Sequence, residues 1–172
     1  SNVGVYDNAG EFLSSEPTYA HYLRTLFYQT SLVGKMHFVG PDQLHGFERR
    51  LTTDIYPSDF SWTADWSQYE EEYAPSRMSL LSVVEAGTCE RSLQVDYDDH
   101  VFNLAKQELF DIARSDYERP FFVHASFTHP HNPFVITQDF WDLYDHEAIA
   151  MPRVDFIPYQ ERDPWSQRYY MT

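Results

Sequence analysis

The fold is decided by residues 29–40, whose sequence is QTSLVGKMHFVG. Residues 29–33 predict a short buried strand, and apolar side chains recur at helical spacing over the preceding residues 19–26. A helix, a short turn and a buried strand are typical of an α/β fold, in which a mixed or parallel sheet carries helices on its faces. We therefore predict an α/β fold with a functional loop beginning at Gly34, because open α/β sheets place their sites at the carboxyl ends of the strands.

The loop after this strand carries two basic side chains, Lys35 and His37. Residues two apart in extended backbone point the same way, so the spacing predicts that the ammonium and the imidazole face one spot. Together they suit a tetrahedral oxyanion such as sulfate or phosphate. The alternative is a surface lysine beside a capping histidine, and the spacing alone does not separate the two interpretations.

Two more segments show clear periodicity. The helix before the first strand is predicted to start at Ser14-Ser15-Glu16-Pro17-Thr18. A second, longer helix is predicted to be capped by Asp96 or Asp98. Its apolar stripe runs from Val101 through Leu109 to Ile112. Residues 121–127 form a near-continuous apolar run, as expected of a strand buried on both faces. A polar loop follows directly at residues 128–134.

If the two buried strands are parallel neighbours, their loops meet at one edge of the sheet. Lys35 and His37 would then join His129 and His131 there. Lysine would hold an anionic oxygen, while histidines could donate to sulfate oxygens or protonate a leaving alkoxide.

Two other site interpretations remain open. His124, His129 and His131 could form a zinc site, although His124 lies within the strand and a buried, hydrogen-bonded histidine is the simpler interpretation. Cys89 could be a nucleophile, but its neighbours offer one charge of each sign and no motif, so an inert thiol is favoured.

Composition excludes several classes of protein. An apolar content of 42% argues against disorder, and the formal net charge of −15 argues against a nucleic-acid partner. A single cysteine excludes an internal disulfide framework and favours a reducing, cytoplasmic setting. No apolar run approaches the roughly 20 residues of a membrane helix, and no signal peptide is visible, so no membrane partner is expected.

Residues 42–90 form an aromatic and acidic excursion, which we interpret as a candidate substrate lid because long irregular loops tend to be functional. Its aromatic side chains could contact a ligand or could bury only the underside of the lid itself. Both interpretations fit the composition.

Several motifs in order resemble the sulfatase family, and specifically its choline-sulfatase branch. They are GKMHFVGPD at residues 34–42, HGFE at 45–48, LTTDIYPSDF at 51–60, EAG at 85–87 and THPHNPF at 128–134. The resemblance spans essentially the whole chain. It implies an alkaline-phosphatase-like α/β fold, hydrolysis of sulfate esters, a formylglycine nucleophile made from the cysteine of a Cys-x-Pro-x-Arg signature, and an assisting calcium ion.

The resemblance also implies roles for individual residues. Lys35 would bind the sulfate, His37 would contact the formylglycine, and His131 would contact the sulfate or the leaving oxygen. His129 would be a neighbouring substrate-binding residue. In the family, the cysteine signature and the early calcium ligands precede the Gly-Lys-x-His element, and further calcium ligands and a second lysine follow later. Residues 1–172 are therefore expected to be an internal part of a sulfatase catalytic domain, without metal ligands and without turnover on their own.

The choline-sulfatase branch directs attention to the aromatic residues of the excursion. A quaternary ammonium has no hydrogen to donate and is best held by aromatic faces and carboxylates. Trp62, with Trp66 as a second candidate, has this chemistry, and we predict that it contacts choline. The expected substrate is choline sulfate, and the complete enzyme is expected to be a homo-oligomer. The alternative is a non-catalytic module that binds a quaternary ammonium or sulfate.

Overall fold

The structure, a computed structural model, describes residues 3–5, 8–60, 81–164 and 166–167 of the chain. Its helices and strands, in chain order, are α1 (Tyr19–Thr25), β1 (Gln29–Gly34), β2 (Arg49–Arg50), α2 (Leu81–Val84), β3 (Gly87–Thr88), α3 (Leu93–Arg114), β4 (Phe121–Ser126), β5 (Val135–Ile136) and α4 (Gln138–Trp141). Two short 3-10 helices follow at His146–Ala148 and Tyr159–Glu161. The described residues form two units, one from residues 3–60 and 93–129 and one from residues 81–92 and 130–167.

The first unit contains a parallel sheet in the order β2-β1-β4. Gln29 pairs with Phe121 at one end of β1, and Gly34 pairs with Ser126 at the other. This confirms the predicted α/β class and the condition that the two strands are parallel neighbours. The loops that follow β1 and β4 therefore leave the sheet at the same edge.

Helices α1 and α3 cover the two faces of this sheet. Successive side chains of β1 point to opposite faces, so Leu32 packs with Ala20 of α1 and Phe47. Val33 packs on the other side with Val101 and Ala105 of α3. Burial of β1 between two helices fits its sequence, because Leu32 and Val33 are apolar and the small side chains of Thr30 and Ser31 are buried beside them.

A buried carboxylate links α3 to the sheet. Glu108 is 4% exposed, accepts a hydrogen bond of 2.6 Å from the Ser31 hydroxyl and forms an ion pair with Arg49. The predicted apolar stripe of α3 was wrong at Leu109, which is 45% exposed, because Glu108 takes the inward position. The buried charge is tolerated because it is paired and hydrogen-bonded.

Both predicted helix starts were wrong. Helix α1 begins at Tyr19, after Thr18, whose backbone N–H donates to Nδ1 of His21 at 3.0 Å. Helix α3 begins at Leu93, so Asp98 lies beyond its first turn and does not cap it. Strand β4 is only partly buried, since within the described residues it has a strand neighbour on the β1 side alone.

The described part of the second unit contains less regular secondary structure than the first. Its two-stranded parallel sheet pairs Gly87 of β3 with Val135 of β5. The Trp141 ring stacks on His146, with ring centroids 4.2 Å apart. Among the helices that the structure describes, none has the length and apolar character needed to cross a membrane.

A buried histidine supports the chain between the loop after β1 and strand β2. His45 is 1% exposed and packs against the rings of Phe12 and Phe38. Within the described part of the chain, neither of its ring nitrogens has a hydrogen-bond partner, and Nδ1 lies 3.5 Å from the Asp42 carboxylate. Burial lowers the pKa of His45, although the charge of Asp42 opposes the effect.

Acidification is therefore expected to destabilise the protein through His45. The unfolded state takes up this proton as the pH falls through the ordinary value of 6.5, whereas the folded state resists it, so the free energy of unfolding falls below that pH. Urea denaturation at several pH values between about pH 7 and pH 5 measures how steeply the free energy of unfolding depends on pH. His45→Asn, which suits the positive φ of 40° at this position, is expected to flatten it, whereas replacement of the exposed His100 is not. An unchanged slope in His45→Asn would contradict the assignment.

Candidate active site

Gly34 brings the loops after β1 and β4 into contact. Its φ of +111° is unfavourable for any residue with a side chain. A Cβ at this position would overlap the carbonyl oxygen of Ser126 and lie 2.7 Å from its carbonyl carbon. The next N–H, that of Lys35, donates to the same carbonyl oxygen at 3.0 Å. Glycine is required here because the two backbones approach so closely.

The loop after β1 is held by a buried carboxylate, Asp54. One oxygen of Asp54 accepts the backbone N–H groups of Met36 at 2.9 Å and His37 at 2.7 Å. The same oxygen pairs with the Arg50 guanidinium at 3.0 Å. The side chain of Asp54 is only 2% exposed, and that of Arg50 is 7% exposed. Thr52 adds a further tie by accepting the Gly34 N–H at 2.7 Å. The segment after β2 thus fixes the backbone that carries Lys35 and His37.

Lys35 lies in a partly buried, aromatic setting. Its ammonium nitrogen lies 4.9 Å from the centroid of the Tyr56 ring, which is a cation–π geometry. Burial lowers the pKa of Lys35, and the negative charge of Asp54 partly opposes this. A cation with part of its hydration removed is well suited to bind an anion.

His37 does not follow the predicted geometry. Strand β1 ends at Gly34, and the φ of His37 is +56°, so the two basic residues are not on extended backbone. Nε2 of His37 donates to the carbonyl oxygen of Asn8 at 2.7 Å. The expectation that strand alternation aims Lys35 and His37 at one spot was therefore wrong, although both lie on the loop at the carboxyl end of β1.

His129 follows β4 at the same edge and is tied to helix α3. The Asp98 carboxylate accepts the backbone N–H groups of Thr128 at 2.6 Å and His129 at 3.0 Å. It also lies 2.6 Å from Nδ1 of the His129 ring. The neighbouring Tyr97 donates from its hydroxyl to the carbonyl oxygen of Thr53 at 2.7 Å, so α3 holds the loops after β2 and β4 together.

The remaining candidates lie in the second unit or outside the described residues. His131 belongs to the second unit, where its Nδ1 donates to the carbonyl oxygen of Asn132 at 2.9 Å. Trp62 and Trp66 lie outside the described residues. The excursion 42–90 is divided, because residues 42–60 belong to the first unit and residues 81–90 to the second.

The zinc interpretation is not supported. His124 faces α1, where its Nδ1 lies 3.0 Å from the Tyr19 hydroxyl and burial lowers its pKa. No group of three or more His, Cys, Asp or Glu side chains could hold a metal ion in the part of the chain that the structure describes. Cys89 is a partly buried thiol beside β3.

Two functional candidates were missed by sequence reasoning. Asp54 lies within the quoted motif at residues 51–60, but nothing in that motif indicated that it holds the loop after β1. Asp98 was interpreted as a helix cap, and its real partners are thirty residues further along the chain. Both carboxylates accept backbone N–H groups of loops distant in sequence, and such contacts leave no local pattern.

One edge of the sheet therefore collects three loops, each leaving the carboxyl end of a parallel strand. Lys35, His37 and His129 contribute a cation and two imidazoles, while Asp54 and Asp98 fix the backbones that carry them. An arrangement of this kind suits an anionic ligand whose bond cleavage needs a proton.

Comparison with known proteins identifies a relative of this chain. No protein-family model matches the chain. The chain is 51% identical over 175 aligned positions to a choline-sulfatase from Rhizobium meliloti (strain 1021). The alignment covers 100% of the chain but 34% of that relative, so the chain spans about a third of its length. With half of its positions identical along its whole length, the chain belongs to the sulfatase family, as part of a choline-sulfatase-like sequence.

Proposed function

We propose that the complete protein is a sulfuric ester hydrolase that converts choline sulfate to choline and sulfate. This chain would supply part of the sulfate and choline sites. The observation that carries the proposal is the Gly-Lys-x-His loop, which Asp54 fixes at the carboxyl edge of β1 in a chain half identical to a choline-sulfatase.

The loops at this edge support the proposed binding of sulfate. Lys35 would bind a sulfate oxygen, because its partly desolvated ammonium attracts an anion more strongly than a solvated one. By the family resemblance, His37 would contact the formylglycine, and His131 would contact the sulfate or the leaving oxygen. The proposed alkaline-phosphatase-like architecture is consistent with the parallel sheet and its flanking helices.

Calcium and formylglycine would come from other segments of the complete protein. The described residues offer no group of carboxylates and histidines that fits a metal ion. When present, formylglycine would supply the nucleophile and calcium would assist it. The chain's own residues would bind and orient the ester.

The proposed function is tested by sulfate release. The complete protein, expressed with its formylglycine-forming enzyme, is expected to release sulfate from choline sulfate, while residues 1–172 alone are expected to release none. Ion chromatography measures the product. Binding of choline sulfate by the complete protein without any turnover would support the alternative of a non-catalytic module and overturn the hydrolase.

Trp62 is proposed to hold the quaternary ammonium of choline, with Trp66 as a second wall. Loss of a cation–π contact of about 1–2 kcal/mol predicts that Trp62→Ala raises KM for choline sulfate by about five- to thirtyfold. KM for an uncharged aryl sulfate should change far less. Tyr117→Ala, which removes an exposed ring elsewhere, serves as the control. Equal effects of Trp62→Ala on both substrates would rule out the choline contact.

A cytoplasmic location and a homo-oligomeric complete enzyme are part of the same proposal. The single cysteine supports the first, and the many exposed large apolar side chains of the described residues support the second. Light scattering on the complete protein gives the oligomeric state.

A further inference from the structure

We propose that Tyr56 is a positioning residue for Lys35. The aromatic ring of Tyr56 holds the lysine ammonium in place for a sulfate oxygen, and Gln94 of helix α3 supports the ring. The inference rests on the proposed sulfatase function and deepens it, because it names the residues that decide how Lys35 meets the sulfate.

The contact between ammonium and ring leaves the hydrogen-bond donors of the lysine available. The ammonium nitrogen of Lys35 lies 4.9 Å from the centroid of the Tyr56 ring. It makes no hydrogen bond to any residue in the described part of the chain. The carboxylate of Asp54 acts on Lys35 through its charge, but its oxygens are taken by backbone N–H groups and by Arg50. The N–H groups of the ammonium can therefore all turn to an anion.

An aromatic ring suits this task better than a carboxylate would. The face of a ring attracts a cation but carries no net charge, so the lysine keeps its positive charge. A carboxylate at the same place would neutralise the ammonium and compete with the sulfate for it. The ring also replaces water on one side of the partly buried Lys35, which strengthens the attraction to an anion on the other side.

The backbones that carry the two side chains are joined by one carboxylate. Asp54 accepts the N–H of Met36, the residue after Lys35, at 2.9 Å. It also accepts the N–H of Ile55 at 3.1 Å, and Tyr56 is the next residue. The approach of ammonium and ring thus follows from fixed backbone positions rather than from the free reach of a long side chain.

Helix α3 fixes the ring itself. Nε2 of Gln94 donates to the hydroxyl of Tyr56 at 3.1 Å, and Gln94 is only 6% exposed. One turn further along α3, the hydroxyl of Tyr97 donates to the carbonyl oxygen of Thr53 at 2.7 Å. The ring is therefore held at its hydroxyl by one residue of the helix, and the segment before it is held by another. A side chain supported in this way can orient a neighbour that binds a ligand.

The ring should affect sulfate affinity through the freedom of the lysine. A lysine side chain that is mobile before binding must be ordered by the ligand, which lowers affinity by about three- to tenfold. With the ring in place, Lys35 is ordered before the sulfate arrives. A ring that only covered the lysine stem would contribute to folding and would not set the affinity for sulfate.

The experiment measures binding of inorganic sulfate and of choline, each alone, to the complete protein by titration calorimetry. Tyr56→Leu removes the ring, and we expect the Kd for sulfate to rise about three- to tenfold. The Kd for choline should stay unchanged, because choline has no group for Lys35 to bind. Tyr56→Phe keeps the ring and loses only the hydrogen bond from Gln94, so it should raise the Kd for sulfate by no more than about twofold.

Tyr28→Leu is the matched control. Tyr28 is partly buried like Tyr56, but it precedes β1 at the end of the strand away from Lys35, so the Kd for sulfate should not change. Circular dichroism establishes folding. If Tyr56→Leu does not fold, ring-fluorinated phenylalanines at residue 56 decide, because fluorine keeps the ring and weakens its attraction to a cation. The Kd for sulfate should then rise with the number of fluorine atoms.

The outcomes separate the inference from the function on which it rests. An unchanged Kd for sulfate in Tyr56→Leu or across the fluorinated series would overturn the positioning role, as would equal increases in the Kd for sulfate and for choline. Hydrolysis of choline sulfate by the wild-type protein would leave the sulfatase function intact in those cases. A wild-type protein that neither binds sulfate nor hydrolyses choline sulfate would instead overturn the proposed function itself.

Discussion

Gly34→Ala is expected to unfold the first unit. The added methyl group would overlap the carbonyl oxygen of Ser126, which belongs to the backbone of β4 and has no rotamer by which to move away. The φ of +111° adds strain of about 1–2 kcal/mol for any residue with a Cβ. Together these effects place the loss in the free energy of unfolding at about 4 kcal/mol or more, which is exceptional for one methyl group. Urea denaturation followed by circular dichroism measures it.

Gly87→Ala separates the cost of backbone strain from the cost of atomic overlap. Gly87 also has a positive φ, of +151°, but nothing lies within 4 Å of an added Cβ. Its substitution should therefore show the cost of backbone strain alone, about 1–2 kcal/mol. If Gly34→Ala cost no more than Gly87→Ala, close approach of the two loops would not be the reason for glycine at residue 34.

Asp54→Asn is expected to be nearly as damaging. Four donors surround the Asp54 carboxylate: the N–H groups of Met36, His37 and Ile55 and the guanidinium of Arg50. An amide removes the negative charge and turns an NH2 group toward some of these donors. It leaves Arg50 charged and 7% exposed, and breaking a buried pair on one side costs about 3–5 kcal/mol. Because the carboxylate holds the loop of Lys35 and His37, the sulfate ester hydrolysis that we propose for the complete protein should also be lost.

A double-mutant cycle tests the origin of this effect. Arg50→Met alone should also destabilise, but the pair Asp54→Asn with Arg50→Met should cost clearly less than the sum, because no buried charge is then left alone. Asp116→Asn, which removes a carboxylate from an exposed position, should change the free energy of unfolding by less than about 0.5 kcal/mol. Strictly additive losses in the cycle would show that Asp54 and Arg50 act independently.

The strands and the site loops could be predicted from sequence because their signals are local. The apolar run before Gly34 and the one before Thr128 each mark a strand, and parallel pairing then places their loops together. Helix boundaries were harder to predict from the sequence. Thr18 rather than Ser14 precedes α1, because Thr18 also donates from its hydroxyl to the carbonyl oxygen of His45, a contact that exists only in the fold.

The residues that support the site could not be predicted, for a physical reason. Asp54 and Asp98 act through backbone N–H groups, and every residue except proline has one, so the partners carry no signature. The same reason explains the error at His37. Its positive φ accompanies the hydrogen bond from its N–H to Asp54, which lies further along the chain, whereas strand alternation holds only where the backbone stays extended.

The parallel pairing of β1 with β4 has a consequence for how the protein is made. Residues 29–34 leave the ribosome long before residues 121–126, to which they must bond. Closing such a long loop is slow, and until it closes the apolar side chains of β1 are covered on fewer sides than in the folded unit. The loop of Lys35, whose N–H bonds to Ser126, thus takes its final form only after β4 is synthesised. Assembly of this edge of the sheet is therefore a late event in folding, and until it is complete the nascent chain is exposed to aggregation.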